Sequence, residues 1–481
     1  MRRTLTLIFS LSLLARPGGN GFAQGLDTLV VSLADAERRA MESSPLLSGA
    51  RAEVELSEAQ RTQADNARYL PELSLQNLWG PIPRARGEFN EYGVLTSPDQ
   101  AGEIGKLSWF TQAQLDIVQP LYGFGKISSR QDAAGHGVEV SEAGLEGARD
   151  QALLLVRQLY WGVVLTKELE RVLDNVRENA AEAEEKLNEQ YEEGDASQND
   201  LFKFTLFEYE VNRRARELEA AGIEAREGLR AAMGLERGIE VDVDADRLEP
   251  LDVALDSLSA YLDLAQENRP ELKQLRAGIM ARESLRKAEE RDAWPTLILA
   301  GGIRANYAPD RYKPKNPFLN NDFNYLRAGA LVGFDWDVNF LHHRDETRIQ
   351  RMEANKLQAQ LQPLSGLVEK EVREAYLKAR RALADVEEGE EALQASENWF
   401  RAEMQTFDIG IGQIKDVIDA FQANVEMETL QLQNIAAFNV ALAELAQRVG
   451  MDVTGGASGV REASGGNAIS LEEGNSPGLD R

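Results

Sequence analysis

Residues 407–426 read F-D-I-G-I-G-Q-I-K-D-V-I-D-A-F-Q-A-N-V-E, and residues 191–210, Y-E-E-G-D-A-S-Q-N-D-L-F-K-F-T-L-F-E-Y-E, echo them. The offset is a constant 216 (407 minus 191) with no gap, so that Tyr191 falls on Phe407, Gly194 on Gly410, Asp200 on Asp416, Leu201 on Val417, Glu210 on Glu426 and Gly234 on Gly450. Each copy sets a ring residue and a glycine at the end of a long polar helical pattern, then an acidic residue at the opening of a second helix. That order is the signature of a helical hairpin tip. Two hairpins, and two copies of one larger unit, are expected.

Working outward from the tips, apolar residues step by four and three through Leu155, Leu159, Gly162, Thr166, Leu169, Leu173, Val176, Ala180, Ala183 and Leu187, a heptad seam on a helix predicted over 128–193. Its partner over 197–233 stops at Gly234 and is too short to match it. The helix predicted over 32–69, broken early by Pro45, supplies the missing length, so that the two laid end to end can pair antiparallel with the long one. The second half repeats the plan. Pro270 and Pro295 answer Pro45 and Pro71, a helix predicted over 344–407 carries an expected bend or break at Pro363, and a shorter one over 413–449 returns.

Between the helices lie four alternating runs, read as strands. Leu73 and Leu75 open the first, and Trp109, Thr111, Ala113, Leu115 and Ile117 share one face of the second, against Gln112, Gln114 and Asp116. In the third, Leu297, Leu299, Ile303, Ala305 and Tyr307 oppose Arg304 and Asn306. The fourth sets Leu326, Ala328, Ala330, Val332, Phe334, Trp336, Val338 and Phe340 against Tyr325, Arg327, Gly329, Gly333, Asp335, Asp337 and Asn339. Residues 236–256 read as an acidic connector between the halves.

The composition narrows the function. Aromatics at 7% beside 28% charged residues suit long amphipathic helices better than one thick core, and a net charge of −27 argues against a nucleic-acid partner. The absence of cysteine excludes disulfides, thiolate metal sites and cysteine nucleophiles. Arg2 and Arg3 precede an apolar run, then small residues around Ala23, so residues 1–23 read as a signal peptide. Residues 24–237 and 238–450 are expected as the two structural repeats, and the Gly- and Ser-rich residues 451–481 as a disordered tail. No later run approaches the ~20 apolar residues of a spanning helix, so any membrane contact falls to strands or a surface helix. Four strands cannot close a barrel in one chain; two copies give eight strands and a packed interior, and three give twelve with room for a lumen.

The order helix, strand, strand, long helix, tip, short helix, given twice, resembles the outer-membrane efflux protein family, the TolC-like channel-tunnels. The second tip, F-D-I-G followed by D-V-I-D-A, is similar to that family's Y-x-x-G and D-V-L-D-A, and the turn Q-P-L-Y-G-F-G-K over 119–126 is similar to its Q-P-L-F-D-G-G type of turn. The resemblance covers roughly residues 26–450. It implies a mostly α chain with a membrane β-barrel part: long antiparallel coiled-coil helices forming an α-barrel tunnel in the periplasm, and four strands per protomer in a twelve-stranded trimeric barrel in the outer membrane. The implied partners are two further copies of the chain, a periplasmic adaptor (membrane fusion) protein, an inner-membrane transporter of the RND, ABC or MFS type, and outer-membrane lipid. The implied role is a passive exit duct for efflux or secretion, gated at its tips. A secreted or periplasmic coiled-coil structural protein is the alternative.

Asp416 and Asp419 share a face of the first helical turn, where acids also simply complement the helix dipole. The resemblance assigns them to a carboxylate ring at the pore entrance. The first tip keeps Asp200 but has Lys203 in the second place. The family sets an arginine where this chain has Gly412, so closure is left to Lys415 or to packing. Gly194, Asp200, Gly410, Gly412 and Lys415 are the expected tip and adaptor contacts, the glycines serving also as turn residues. Trp109, Trp294, Tyr307, Tyr325 and Trp336 flank the strands as a candidate membrane girdle. Nothing in the sequence implies a cofactor or catalysis. His342-His343 lacks partners at ligand spacing, and Gly123-Phe124-Gly125-Lys126 is no phosphate loop, since Pro120 stands where its first glycine belongs and Ile127 replaces the magnesium-binding Ser or Thr.

Overall fold

The computed structural model describes residues 28–453 apart from 85–86, 90, 93, 99–106, 195–196, 312–315, 317, 319, 410 and 412–413. The expected signal peptide, Gly410, Gly412 and residues 454–481 therefore lie outside the described residues. The elements run β1 (Thr28–Val31), α1 (Leu33–Ser43), α2 (Pro45–Tyr69), β2 (Glu72–Pro83), β3 (Gly87–Phe89), β4 (Leu95–Pro98), β5 (Leu107–Tyr122), α3 (Lys126–Glu193) and α4 (Gln198–Ala232). They continue with β6 (Glu240–Val243), α5 (Leu258–Asn268), α6 (Pro270–Asp292), β7 (Thr296–Tyr307), β8 (Tyr325–Asp335), α7 (Phe340–Asp408) and α8 (Ile414–Val449).

Proline at the first helical position explains both helix breaks. Ser44 and Arg269 are held extended ahead of Pro45 and Pro270, so α1 hands over to α2 and α5 to α6 without a loop. The two long helices, 68 and 69 residues, each extend about 100 Å at 1.5 Å per residue. Helix α3 packs along α4 on one side of its length and along α1, α2 and α6 elsewhere, while α7 lies against α8, α6 and α5. This is the end-to-end pairing expected from the helix lengths.

The core gathers where the hairpin bases meet. Val156, Tyr160 and Val163 of α3 pack with Leu229, Met233, Leu272, Val372 and Phe438. A second, smaller cluster of Val172, Val176 and Val211 binds the hairpin α3–α4 to Phe421 and Val425 of α8, nearer the tips.

Four expectations are corrected. Residues 236–256 are more than a connector: β6 pairs in parallel with β1 across 212 positions, Thr28 opposite Glu240, and buries Val241 and Val243 in the core. Helix α7 is not interrupted at Pro363. The carbonyl that the proline leaves without a donor belongs to Ala359, on the exposed side, where water can satisfy it. The fourth strand ends at Asp335, and Trp336, Val338 and Phe340 belong to the turn and the start of α7, because alternation alone cannot mark where pairing with β7 stops. Residues 451–453, expected in the tail, are packed: Met451 and Val453 lie against the core, and Asp452 reaches Arg157 at 3.0 Å.

The four main strands form one antiparallel sheet in the order β2-β5-β7-β8, with β3 and β4 as a separate hairpin. The sheet is open, and β2 and β8 are its edges.

Candidate functional site

Register assigns every residue of the sheet to a face. Leu75, Leu115, Ile303 and Ala328 lie opposite one another across the four strands, as do Leu73 and Ile117, and Leu299 and Val332. Directly opposed residues share a face. This face is apolar, yet nothing among the described residues covers it: Leu75 is 75% exposed, Leu326 74% and Phe334 69%. Soluble monomers rarely carry such a continuous apolar patch.

The opposite face carries Gln76, Gln112, Gln114, Asp116, Arg304, Asn306 and Arg327, interrupted by the apolar Leu78 and Leu331 and, toward the ends, by Phe110, Val118 and Ile298. Its polar groups are linked: Arg304 Nε donates to Gln114 Oε1 at 3.0 Å, and Gln114 Nε2 donates to Asp116 Oδ2 at 2.6 Å.

Aromatic side chains stand at both ends of the apolar face. At the end away from the helices, Trp109 packs edge-on against Trp79 at 5.7 Å, and Tyr307 pairs with Thr111. At the helical end, Tyr122 packs on Phe124 at 4.8 Å, Phe124 on Trp294 at 5.8 Å, and Trp336 on Phe340 at 6.0 Å. The Trp336 indole also donates to Ala293 O at 3.0 Å. Tyr325 departs from the expected girdle. It sits opposite Asn306, on the polar face, with the Arg327 guanidinium 4.3 Å from its ring centroid. Trp79, Tyr122 and Phe124 were missed as girdle candidates; their signal was the aromatic spacing in the first strand and in the Q-P-L-Y-G-F-G-K turn itself.

That turn is firmly held. Phe124 and Gly125 both have positive φ, 51° and 87°, which lets the chain swing from β5 into α3 within three residues. Arg291, at the end of α6, donates to Gly125 O at 2.9 Å, and Asp292 pairs with Lys126 at 2.9 Å and Arg130 at 2.7 Å. The sheet and the helical part are thereby fixed to each other by residues from both halves of the chain.

At the far end are the tips. Gly194 caps α3 in the left-handed region with φ 86°. Helix α7 ends at Asp408 and α8 begins at Ile414. In α8, Val417 and Ala420 are buried, Asp416 is half-buried and Asp419 exposed. Lys415 Nζ lies 3.3 Å from Asp419 Oδ2, one turn on along the same helix, so the lysine offsets one of the two expected entrance acids. Asp200 lies in α4, and Lys203 is exposed one turn further on.

Among the described residues, no group of three or more metal-ligating side chains is brought together, and no helix is long and apolar enough to cross a membrane. His343 instead pairs with Asp337 at 3.5 Å.

A chain with paired long helical hairpins and a small open sheet, apolar on one side and polar on the other, has the fold of the TolC-like outer-membrane channels that its tip and turn resemble. Solved structures carry that assignment. The Campylobacter jejuni CmeC outer membrane channel matches with a TM-score of 0.68 at 14% identity, over 91% of this chain and 94% of that one. The outer-membrane channel OprN matches at 0.67 and 16% identity, over 88% and 90%. The open state of the Neisseria gonorrhoeae MtrE outer membrane channel matches at 0.67 and 14% identity, over 88% and 89%. At such identities the likeness is one of fold. No family model matches the chain, and no curated protein matches it.

Proposed function

We propose that three copies of this chain form a duct in the outer membrane: a twelve-stranded barrel continued into the periplasm by a tunnel of α3, α4, α7 and α8. The observation that carries the reading is the exposed apolar face of the sheet, bounded at both ends by aromatic rings. Lipid is the solvent that such a face fits. From Thr296 to Tyr307 β7 spans 11 positions (307 minus 296), roughly 36 Å of strand, and a tilt near 40° reduces this to a height of about 28 Å, close to the hydrocarbon core of a membrane. The proposed girdle is Trp109, Trp294, Tyr307 and Trp336, with Trp79 and Tyr122 added and Tyr325 left out.

The two free edges support closure by neighbouring copies, since an open sheet edge in hydrocarbon leaves backbone groups unsatisfied. Eight strands fill their own interior, so a conduit favours three chains over two. At the tips, three pairs of Asp416 and Asp419 ring the entrance, concentrating cations and repelling anions. Gly194, Asp200, Gly410, Gly412 and Lys415 meet a periplasmic adaptor, which links the duct to an inner-membrane transporter of the RND, ABC or MFS type. Adaptor contact shifts the tips from a closed to an open packing. The duct is passive and performs no catalysis.

Membrane fractionation tests the location: the chain is expected in the outer-membrane fraction and to need detergent for release, and extraction by buffer alone contradicts it. For the entrance, Asp416→Ala/Asp419→Ala in planar bilayers is expected to lose cation selectivity and block by cobalt hexammine. Unchanged selectivity and block remove those residues from the entrance.

A further inference from the structure

The polar face of the sheet carries an unusual pairing. Arg304 of β7 and Arg327 of β8 are directly opposite in the register, so two guanidiniums project from adjacent strands on the same side. Like charges placed directly opposite are unfavourable in a sheet. Each is held by an uncharged neighbour: Arg304 by Gln114 Oε1 at 3.0 Å, Arg327 by the Tyr325 ring at 4.3 Å. Both remain exposed.

We propose that these arginines form an anion-binding ring inside the barrel, which takes multivalent oxyanions. The inference rests on the trimeric duct proposed above, in which the polar face lines the lumen and three chains contribute six guanidiniums at one level. Twelve strands about 4.8 Å apart and tilted near 40° give a backbone diameter of roughly 24 Å. Arginine side chains reach about 6 Å inward from that wall, leaving their charges within about one Debye length, 8 Å, of the axis. The field therefore spans the whole lumen.

Nearby carboxylates do not cancel it. Among the described strand residues, Asp116 is the nearest acid on this face; it lies opposite Gly302, two residues from Arg304, and its carboxylate already accepts from Gln114, so within the strands three acids face six guanidiniums. Glu72 and Asp335 stand at the helical end of the sheet. Asp335 is eight residues along β8 from Arg327, about 26 Å, and Glu72 four residues along β2 from the rung of Gln76, Gln114 and Arg304, about 13 Å, both beyond the screening distance. Guanidiniums bind phosphate and carboxylate oxygens through paired N–H donors, which suits a ring of them to multivalent oxyanions. The duct then holds two filters in series, acidic at the tips and basic in the barrel.

The test uses the full-length protein in planar bilayers under a salt gradient, with tripolyphosphate added on the barrel side and cobalt hexammine on the tip side. Wild type is expected to be blocked by tripolyphosphate from the barrel side. Arg304→Gln/Arg327→Gln is expected to weaken that block at least tenfold and to raise cation over anion permeability severalfold, while hexammine block at the tips persists. Arg304→Lys/Arg327→Lys is expected to keep the selectivity and lose part of the block. A wild-type channel indifferent to tripolyphosphate overturns the ring without any variant. So does a Gln variant with unchanged reversal potential and block. Absence of any conductance removes the duct itself, and the ring with it.

Discussion

Gly234 and Gly450, 216 residues apart (450 minus 234), follow the ends of α4 and α8 in the same way. Both have positive φ, 70° and 78°, and both abut the break between the two short helices of their own half. A Cβ on Gly234 would stand 2.1 Å from Ser43 O, and one on Gly450 would stand 2.9 Å from Asn268 O. The left-handed conformation alone costs a non-glycine residue about 1–2 kcal/mol. The backbone contact adds to that, because neither carbonyl can swing aside. Gly234→Ala is expected to lower stability by more than about 2 kcal/mol, with Gly450→Ala milder, as read from thermal unfolding in detergent.

Arg157 ties α1 to the segment just past α8. Its guanidinium is buried and reaches Glu37 of α1 at 2.6 Å and Asp452, just past α8, at 3.0 Å. Glu37 is itself fully buried. Removing the arginine strands that carboxylate in the core, so Arg157→Ala is expected to cost about 3–5 kcal/mol, and Asp452→Asn much less, because its carboxylate is partly solvated. Denaturant unfolding of both variants checks the order.

Glu428 of α8 carries a pH signature. Burial raises its pKa above the usual carboxylate value, and Glu397 of α7 and Glu168 of α3 push it the same way. A folded-state pKa above the unfolded one means that the folded state binds more protons, so this group's contribution to stability falls as pH rises from the unfolded value through the raised one. Glu428→Gln is expected to raise the melting temperature at pH 8 and to leave it unchanged at pH 4. An equal effect at both pH values contradicts the assignment.

Lys415 sets how much charge the entrance presents. Its pairing with Asp419 is exposed, and such pairs contribute only about 0.3–0.5 kcal/mol, so Lys415→Ala is expected to leave unfolding nearly unchanged. It frees the Asp419 carboxylate, however. Block by cobalt hexammine is expected to strengthen severalfold in the same variant.

Much of this fold is legible in the sequence because its signals are local. Pro45 and Pro270 announce the helix breaks, the apolar alternation of β5 and β7 marks their faces, and the echo between the two tips places both hairpins. What escaped depends on distant partners. Nothing in Thr28-Leu29-Val30-Val31 shows that it pairs with a strand over 200 positions away, so residues 236–256 read as a linker. Alternation carried the fourth strand through Trp336 to Phe340, since only the end of β7 stops the pairing. Tyr325 drew a girdle reading from its residue type, although its parity already set it beside Arg327 on the polar face. The Arg304 and Arg327 pairing needs the register of two strands, which neither strand reveals by itself.

The claim that these chains close a barrel by joining β8 of one to β2 of the next is open to direct measurement. The chain has no cysteine, so every introduced one reports alone. With Ala330→Cys fixed on β8, and cysteines placed one at a time along β2 from Leu73 to Trp79, oxidation in membranes followed by denaturing electrophoresis is expected to give dimers and trimers for a subset of positions. Those positions alternate along the strand, and the ladder stops at three chains. Crosslinking that never passes two chains, or a ladder that runs beyond three, contradicts the trimeric barrel.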